Sequence, residues 1–380
     1  MKSSINLRLG QRRLVLAAAL TVGVAACTAA PEPTVAPAPT DTSTTVPGAA
    51  AAETQAPTEL PEAAATAAPT ESGEFISPYT PSAPIGSGAS LDPVVLRLNF
   101  QEGAVYRFRI LTRQDLTQTF DGQTFDIGTQ TGFEYTYTVT SIDPDGSAWV
   151  DVIYTRALYE TDTVFGSISY DSADPPGQVP EGAESFAAIV GSGFSMRIGP
   201  DGEIQEIQGL DDLYDEMLAA LDLPDPEMRQ AIELTFREQF GEKAMKDQLG
   251  SLFFEFPEGS LQVGDRWTST EETTVMLPIK VENTFTLLGL DENTALIEVR
   301  SEISTGSQEG GLDLGLFAFD FTLTGSQEGL IRVDLRTGLA NSRLDQTLQG
   351  VMTILADGEE ITVPISILQT TQIESVQLAP

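Results

Sequence analysis

YTVTSIDPDGSAWV, residues 137–150, consists of two alternating runs joined by an acidic turn. Apolar and polar residues alternate with a period of two on both sides of the turn, as in a β-strand that buries one face. Asp145-Gly146 lies between the runs, and Asp-Gly at such a place favours a tight hairpin. The stretch therefore predicts two antiparallel strands with one face in a core and the other in water.

The same alternation recurs along most of the chain after residue 91. It is clear in five further stretches, at residues 106–111, 194–198, 317–323, 331–335 and 361–367. Further Asp-Gly turn signals begin at Asp121, Asp201 and Asp357. Pro364 in the last stretch predicts an edge strand or a bulge, because proline has no N–H to donate to a neighbouring strand.

The middle of the chain has a different period. Residues 210–221 read LDDLYDEMLAAL, with Leu210, Leu213, Met217 and Leu221 at helical spacing. Asp225-Pro226 follows, which is typical of a helix N-cap with proline at the first helical position. These signals predict a helical insertion at about residues 209–252.

Two similar blocks of strands flank this insertion, at residues 91–208 and 253–380. Residues 137–150 resemble residues 285–297, FTLLGLDENTALI, and residues 196–208 resemble residues 331–344. The similarity indicates either an internal duplication or two sets of meander hairpins that look alike. We predict a β-rich α+β fold of two antiparallel sheets, arranged as a sandwich or as a strongly curved sheet.

The N-terminus has the features of an export signal. Lys2, Arg8, Arg12 and Arg13 precede an uncharged apolar run at residues 14–26. Such a run has the length of a signal sequence and is short for a membrane-spanning helix. Arg12-Arg13 weakly resembles a twin-arginine signal, and a basic region for the general export route explains the same residues.

Val24-Ala25-Ala26-Cys27 at the end of the run resembles a bacterial lipobox. The resemblance implies that Cys27 is diacylated and that residues 1–26 are cleaved off. An ordinary secretory signal is the alternative, but Cys27 is the only cysteine of the chain, and a lone thiol is unusual in an exported protein. We therefore expect the chain to be lipid-anchored in the cell membrane and to face the extracytoplasmic side.

Residues 27–90 are predicted to be the lipidated cysteine and a disordered stalk. The segment is rich in Ala, Pro and Thr and has no Lys or Arg. It has too little apolar surface to offset the entropy lost on ordering. Its proline content is typical of an extended, semi-rigid spacer that holds the domain at 91–380 away from the membrane.

Composition excludes several functions. The chain has 20 Lys+Arg and 56 Asp+Glu, for a net charge of −36, which repels nucleic acid and anionic lipid. It has 0 histidines and 1 cysteine, so the usual general base, Ser-His-Asp and Cys-His catalysis and the common zinc ligands are missing. We therefore expect that the protein binds no cofactor and is not an enzyme.

Composition alone does not exclude calcium binding or hydrolysis by carboxylate side chains. Asp143 and Asp145 could bind calcium, but an EF-hand-type loop would need acidic residues where Ser147 and Tyr154 stand, which favours a simple turn. A carboxylate-pair hydrolase is also weakly supported, because close acidic pairs are unavoidable among 56 acidic residues.

Residues 259–267, GSLQVGDRW, resemble a family of bacterial exported lipoproteins with no assigned function. Val263, Gly264, Asp265 and Trp267 match its Val-Gly-Asp-x-Trp signature, and the resemblance extends over most of residues 95–375. In physical terms Gly264 suits a positive φ, Asp265 can cap the turn, and Trp267 can bury a large ring. The resemblance implies no reaction.

These observations favour a membrane-anchored extracytoplasmic lipoprotein that acts as a non-catalytic binding or structural module at the cell surface. Its expected partner is the membrane, which it contacts through the lipid on Cys27. The sequence does not decide whether it also binds a protein, a glycan or an apolar ligand. The alternative is a carrier of a lipid or other hydrophobic ligand. It rests on apolar residues of the helical insertion that could gate a groove, namely Met217, Met228, Phe236, Phe240, Met245, Leu249 and Leu252.

Overall fold

The computed structural model describes a β-rich domain after the predicted stalk. All the described residues fall within one compact unit. They are Phe75, 92–120, 122–164, 166–220, Glu242, Met245, Lys246, Leu249, Phe253, 256–273, 279–305, 312–313, 318–356 and 359–378.

Thirteen strands form one antiparallel sheet. They are β1 (Val105–Phe120), β2 (Gln123–Ile142), β3 (Ala148–Thr163), β4 (Gly166–Asp171), β5 (Gly193–Ile198), β6 (Ile204–Gln208), β7 (Arg266–Thr273), β8 (Ile279–Leu290), β9 (Thr294–Thr305), β10 (Leu312–Asp313), β11 (Ala318–Asp334), β12 (Ala340–Ala356) and β13 (Glu359–Gln377).

The strand order is β6-β5-β3-β2-β1-β13-β12-β11-β9-β8-β7, with β4 beside β3 and β10 beside β11. The first and last strands of the domain therefore pair in the middle of the sheet. Their register runs from Tyr106↔Gln377 to Gln118↔Ile365. Pro364 lies in a central strand rather than an edge strand, at the point just past the last residue pair with β1, where a missing N–H costs least.

The predicted α+β fold of two sheets is wrong, because the described residues are almost entirely β and their strands form a single open sheet. Two helices are described, α1 (Glu184–Ala188) and α2 (Leu210–Ala220). The second lies in the predicted insertion at 209–252, whose residues 221–241 are outside the described part. The two strand blocks merge because β1 pairs with β13, and local hairpin patterns contain no information about that pairing.

Both blocks cross the sheet in the same direction, from β1 to β6 in the first and from β7 to β13 in the second. A duplicated unit would do this, and so would any two consecutive meanders. The internal duplication therefore stays a prediction.

The sheet has an inner and an outer face. Successive side chains of a strand point to opposite faces, and we define the inner face by Tyr106 and Phe108 of β1. Both side chains are fully buried, whereas Arg107 and Arg109, which alternate with them, point to the outer face and are partly exposed. The register carries this division from strand to strand, since Phe108 lies opposite Tyr135 of β2 and Ser375 of β13.

A strap formed by residues 94–100 crosses one end of the sheet. The N–H of Leu98 donates to Pro200 O (2.7 Å), and the N–H of Asn99 donates to Thr337 O (2.9 Å). Pro200 is in the β5–β6 turn and Thr337 is in the β11–β12 turn, so the strap links distant parts of the sheet. Gly338 has a φ of +75°, and an added Cβ there would overlap the carbonyl oxygen of Arg97.

The strap lies in a first apolar cluster on the inner face. Leu96, Leu98 and Phe100 of the strap pack in one cluster with Met196 of β5 and Leu287 of β8. Strands from both sides of the sheet thus contact the same core, which requires the sheet to bend around it. Phe253 forms its aromatic centre, with ring centroids 5.5 Å from Phe108, 5.8 Å from Tyr137 and 6.4 Å from Phe100.

A small apolar cluster on the outer face includes Phe75, a residue that the sequence-based boundary assigned to the stalk. Phe75 is buried together with Leu111 of β1 and Leu158 of β3. A Cβ on Gly132 would lie 2.9 Å from the Phe75 ring, so glycine at this position of β2 makes room for it. Phe75 therefore extends the packed domain beyond the predicted start at residue 91.

Arg156 covers the exposed side of this ring. Its guanidinium carbon lies 4.8 Å from the centroid of Phe75, and Nε and Nη2 donate to the two carboxylate oxygens of Asp171 at 2.9 and 2.6 Å. Burial raises the pKa of Asp171, but the bonds from Arg156 and the N–H of Ala173 outweigh burial and lower the pKa below 3.8.

We predict that Phe75→Ala lowers the free energy of unfolding by about 3 kcal/mol, because it leaves a cavity beside Leu111 and Gly132. Urea denaturation of residues 28–380 measures the change. Val263→Ala is the control, because Val263 is 57% exposed and its truncation should change stability by less than about 0.5 kcal/mol. Equal stability of Phe75→Ala and the unmodified protein would show that Phe75 does not pack against the sheet in solution.

We also predict that the Asp171–Arg156 pair makes stability depend on pH. The folded pKa of Asp171 is below its unfolded value, so its contribution is complete above the unfolded pKa and is lost as pH falls through the folded pKa. Asp171→Asn should destabilise the domain at pH 7, and the difference should shrink below about pH 4. Asp174→Asn, at an exposed position of the following turn, is the control. A difference that persists unchanged at pH 2 would contradict the assignment.

Candidate functional site

A row of polar side chains crosses the inner face of six neighbouring strands. Its members are aligned by the strand register and are at most 5% exposed; they are Asn283 (β8), Ser301 (β9), Gln327 (β11), Gln346 (β12), Gln369 (β13) and Gln114 (β1). With strands about 4.8 Å apart, this polar row is roughly 24 Å long. Buried glutamine is uncommon, and four of them side by side in a sheet core need an explanation.

The polar row separates the first apolar cluster from a second one on the same face. In β12, Leu344 belongs to the first cluster and Leu348 to the second, with Gln346 between them. The same order holds in the other five strands. The second apolar cluster consists of Leu116, Ile279, Val281, Ile303, Phe321, Leu323, Leu348, Met352, Ile354, Val363, Ile365 and Ile367.

Both ends of the polar row are hydrogen-bonded. The hydroxyl of Ser301 donates to Asn283 Oδ1 at 2.5 Å, and Asn283 Nδ2 donates to Glu271 Oε1 of β7 at 2.8 Å. At the other end Gln114 Nε2 donates to Gln369 Oε1 at 3.3 Å. These side chains satisfy one another, as buried polar groups normally do.

The centre of the row is different. Gln327 and Gln346 lie directly opposite each other on β11 and β12. Gln327 Nε2 and both amide atoms of Gln346, Nε2 and Oε1, are buried without a hydrogen-bond partner. A buried amide left in this state costs about 1–3 kcal/mol. The two central amides therefore present two donors and one acceptor that the protein itself does not use.

Glycines on the inner face flank Gln327. A Cβ on Gly325 or Gly329 would overlap the carbonyl oxygen of Thr347 or Arg343, respectively, on β12. The same Cβ would lie 2.8 Å from Leu348 at Gly325 and 2.7 Å from Leu344 at Gly329. Glycine is thus required at both positions, and the strand carries no side chain on either side of the Gln327 amide.

Charges are kept away from the inner face of the strands that carry the polar row. Arg109 on the outer face of β1 binds Glu134 at 2.6 Å, and Arg343 binds Asp345 on the outer face of β12 at 3.1 Å. In the described parts of β1, β8, β9 and β11–β13, no inner-face side chain is ionisable beyond Tyr106. Burial raises the pKa of Tyr106, so its phenol stays neutral. The described inner face of these strands is uncharged at neutral pH.

The predicted signature residues lie at the start of β7. Gly264 has a φ of +98°, and its N–H donates to Leu287 O at 2.8 Å. Asp265 Oδ2 accepts from the N–H of Gln262 at 2.8 Å, which closes the turn. The Trp267 ring stacks on Phe285 with centroids 5.4 Å apart and packs against the first apolar cluster. The structure thus places these residues in a turn and a strand that lead to the inner face.

The carboxylates of the candidate calcium turn, Asp143 and Asp145, form ion pairs with an arginine. Arg197 of β5 binds the carboxylates of Asp143 at 2.8 Å and Asp145 at 2.9 Å. The N–H of Ser147 and the Arg197 side chain lower the pKa of Asp145. Within the described residues no group of three or more His, Cys, Asp or Glu side chains could hold a metal ion.

Cys27, the predicted lipid attachment site, lies outside the described residues, as do residues 1–26 and the stalk before Phe75. In the described part of the chain, no helix has both the length and the apolar character needed to span a membrane.

The sequence-based search missed the polar row. One signal was present, because the apolar alternation of several strands is interrupted by a glutamine. A second signal is the segment TGSQEG, which occurs at residues 305–310 and again at 324–329, where it contains Gln327 and both flanking glycines. Without the strand register, these glutamines could not be placed side by side.

Residues 145–340 match a family of unknown function, DUF6263, and the chain belongs to this family. Membership of a family without an assigned function was predicted and is confirmed, whereas the lipoprotein character and the Val-Gly-Asp-x-Trp signature stay predictions. No curated protein matches the chain.

Several solved structures are distantly similar. A structure of lipovitellin, described as showing lipid–protein interactions, is 11% identical with a TM-score of 0.39. The match covers 74% of this chain and only 26% of the lipovitellin chain. An outer membrane channel from Pseudomonas putida F1 is 10% identical with a TM-score of 0.21, and covers 73% of this chain and 97% of its own. DynF from Micromonospora chersina is 8% identical with a TM-score of 0.17, and the match covers 80% of this chain and 92% of DynF. These scores are too low to support a functional argument.

We predict that Gln346→Leu raises the free energy of unfolding of the ligand-free domain by about 1–2 kcal/mol. The substitution replaces an amide with no partner by an apolar side chain of similar size, next to Leu344 and Leu348. Urea denaturation after extraction of bound small molecules measures the change. Gln349→Leu on the exposed outer face of the same strand is the control and should have little effect. A loss of stability in Gln346→Leu would mean that the amide has a partner in the folded protein.

Proposed function

We propose that this protein is a non-catalytic binding protein, held at the extracytoplasmic side of a membrane by a lipid on Cys27, and that its sheet carries an apolar ligand on the inner face. The proposal joins the expected binding module at the cell surface with the alternative of a hydrophobic-ligand carrier. It concerns the second apolar cluster, at the far side of the polar row from the strap.

One observation supports ligand binding most directly. The first apolar cluster contains the strap, Phe253 and other segments outside the sheet, which fill the inner face there. All members of the second cluster come from strands, and no described segment outside the sheet contributes to it. Its members are nevertheless at most 9% exposed, so this face lies in an apolar interior closed to water, where an apolar molecule would bind.

The electrostatics support a binding role rather than catalysis. A general acid would need a carboxyl group with a raised pKa. Four described carboxyl groups, Asp145, Asp171, Asp334 and Asp345, have a pKa that is lowered rather than raised. Each of these carboxylates is paired with an arginine on the outer face or in a turn, away from the polar row.

The N-terminal sequence supports the proposed location. A positively charged start, an apolar run and Cys27 after small residues favour export and lipidation, and the segment that follows favours a spacer. The acidic excess of the chain, which has a net charge of −36, would repel an anionic membrane surface. A lipid anchor and an acidic domain together suit a protein that stands clear of the membrane and receives its ligand from outside or from a partner.

We predict that residues 28–380, purified gently from bacteria, contain a bound apolar molecule or take up added 1-octadecene. Native mass spectrometry should show extra mass that disappears after organic extraction. Leu323→Trp, which fills space in the second apolar cluster, should reduce uptake at least about tenfold while urea denaturation still shows a cooperative transition.

Leu368→Trp is the matched control, because Leu368 is 52% exposed on the outer face of β13. It should bind like the unmodified protein. A chain that carries no apolar mass and takes up no octadecene would contradict the proposed function.

A further inference from the structure

We infer that Gln327 and Gln346 bind the polar group of the ligand, and that this group is neutral. The ligand would be a long-chain molecule that ends in an alcohol or a primary amide, with its chain on the second apolar cluster. This inference rests on the proposed function, and it adds the chemical class of the ligand and the residues that recognise it.

The open hydrogen-bonding atoms lie at one place. Gln327 and Gln346 are 3% and 4% exposed, and their Cα atoms are paired in register across β11 and β12. Opposite side chains in such a pair lie about 5 Å apart at Cβ. Two amide NH2 groups and one amide oxygen are therefore available to a single small group, which would accept from Nε2 and donate to Oε1.

The surroundings of these amides favour an external partner over an internal one. Their neighbours in the polar row already bond each other, Ser301 with Asn283 and Gln114 with Gln369. The flanking glycines, Gly325 and Gly329, supply no side chain that could bond Gln327. Leu344 and Leu348 pack over these glycines, so the amide pair that the protein does not satisfy has only apolar side chains and backbone beside it on β11 and β12.

The absence of charge defines the ligand class. The described inner-face side chains of β11, β12, β13 and β1 include no Lys, Arg, Asp or Glu. Glu271 of β7 is at the end of the row and accepts a hydrogen bond from Asn283. A ligand carboxylate or phosphate at Gln327 and Gln346 would be desolvated without a cation, which is far more costly than burying a neutral group.

The position of the row also orients the ligand. In β12 the second apolar cluster continues from Leu348 to Ile354, on the side of Gln346 away from the strap. From Gln346 to Ile354 the strand extends about 26 Å. A long unbranched chain attached to a small polar group fits this arrangement, with the group at the two amides and the chain along the strands.

The test uses four probes that share an eighteen-carbon chain: oleyl alcohol, oleamide, oleate and 1-octadecene. Each is added at pH 8 to extracted residues 28–380, and dissociation constants are obtained by native mass spectrometry or by competition. Oleyl alcohol and oleamide should bind on the order of tenfold more tightly than octadecene, because they satisfy buried amides. Oleate should bind more weakly than oleyl alcohol.

The double substitution Gln327→Leu/Gln346→Leu should remove the preference for oleyl alcohol and oleamide over octadecene, and it should not weaken octadecene binding. Its urea midpoint should rise, which shows that the variant folds. Gln349→Leu, on the exposed outer face of β12, should leave all four affinities unchanged.

The outcomes separate the two proposals. If no probe binds, the proposed function is wrong. If all four probes bind equally, or if the double substitution keeps the preference for the alcohol, an apolar ligand is bound but the role of the two amides is refuted. Tightest binding of oleate would also refute it, because a site for a carboxylate would need a cation that these strands do not provide.

Discussion

The pairing of β1 with β13 is the constraint on which the rest of this structure depends. It joins two meanders, one before and one after the middle segment, into one sheet, and it does so across a sequence separation of about 250 residues. The register of this pairing also places Gln114 opposite Gln369. A shift by one residue would turn every side chain of β1 to the other face, and a shift by two would break the polar row between these strands. The core and the candidate site therefore depend on the same set of hydrogen bonds.

The two unpartnered amides at the centre of the polar row lower the stability of the folded domain. Leucine at Gln327 and Gln346 would continue the apolar face without a break, and the row would then be part of an ordinary core. Instead the two central amides are buried without partners while their neighbours on both sides are satisfied. Unsatisfied groups of this kind are rare in folded proteins, and the exceptions are often explained by a ligand or a functional role. The contrast between the ends of the row and its centre supports the proposed site more strongly than burial alone.

The outer face of the sheet carries ion pairs and a small apolar cluster. It holds the ion pairs Arg109–Glu134, Arg156–Asp171 and Arg343–Asp345, which separate charge from the inner face of the strands that carry the polar row. It also receives Phe75 between Leu111 and Leu158, under Arg156. Phe75 therefore belongs to the packed domain, although the predicted boundary at residue 91 placed it in the stalk. The position of Phe75 could not be predicted because a single aromatic residue in a Pro- and Thr-rich segment has no periodic pattern around it.

The sequence by itself determined many of the strands and their buried faces, and turns such as those at Asp145-Gly146 and Gly264. These depend on side-chain alternation and on local backbone preferences. It also determined the acidic charge and the lack of His-based and Cys-based chemistry. The tertiary structure alone decided that there is one sheet rather than two, that β13 is central, and that four glutamines from β1, β11, β12 and β13 lie side by side. These features depend on which strands pair and in what register. That choice is made by contacts between residues far apart in the chain, and no local pattern encodes it.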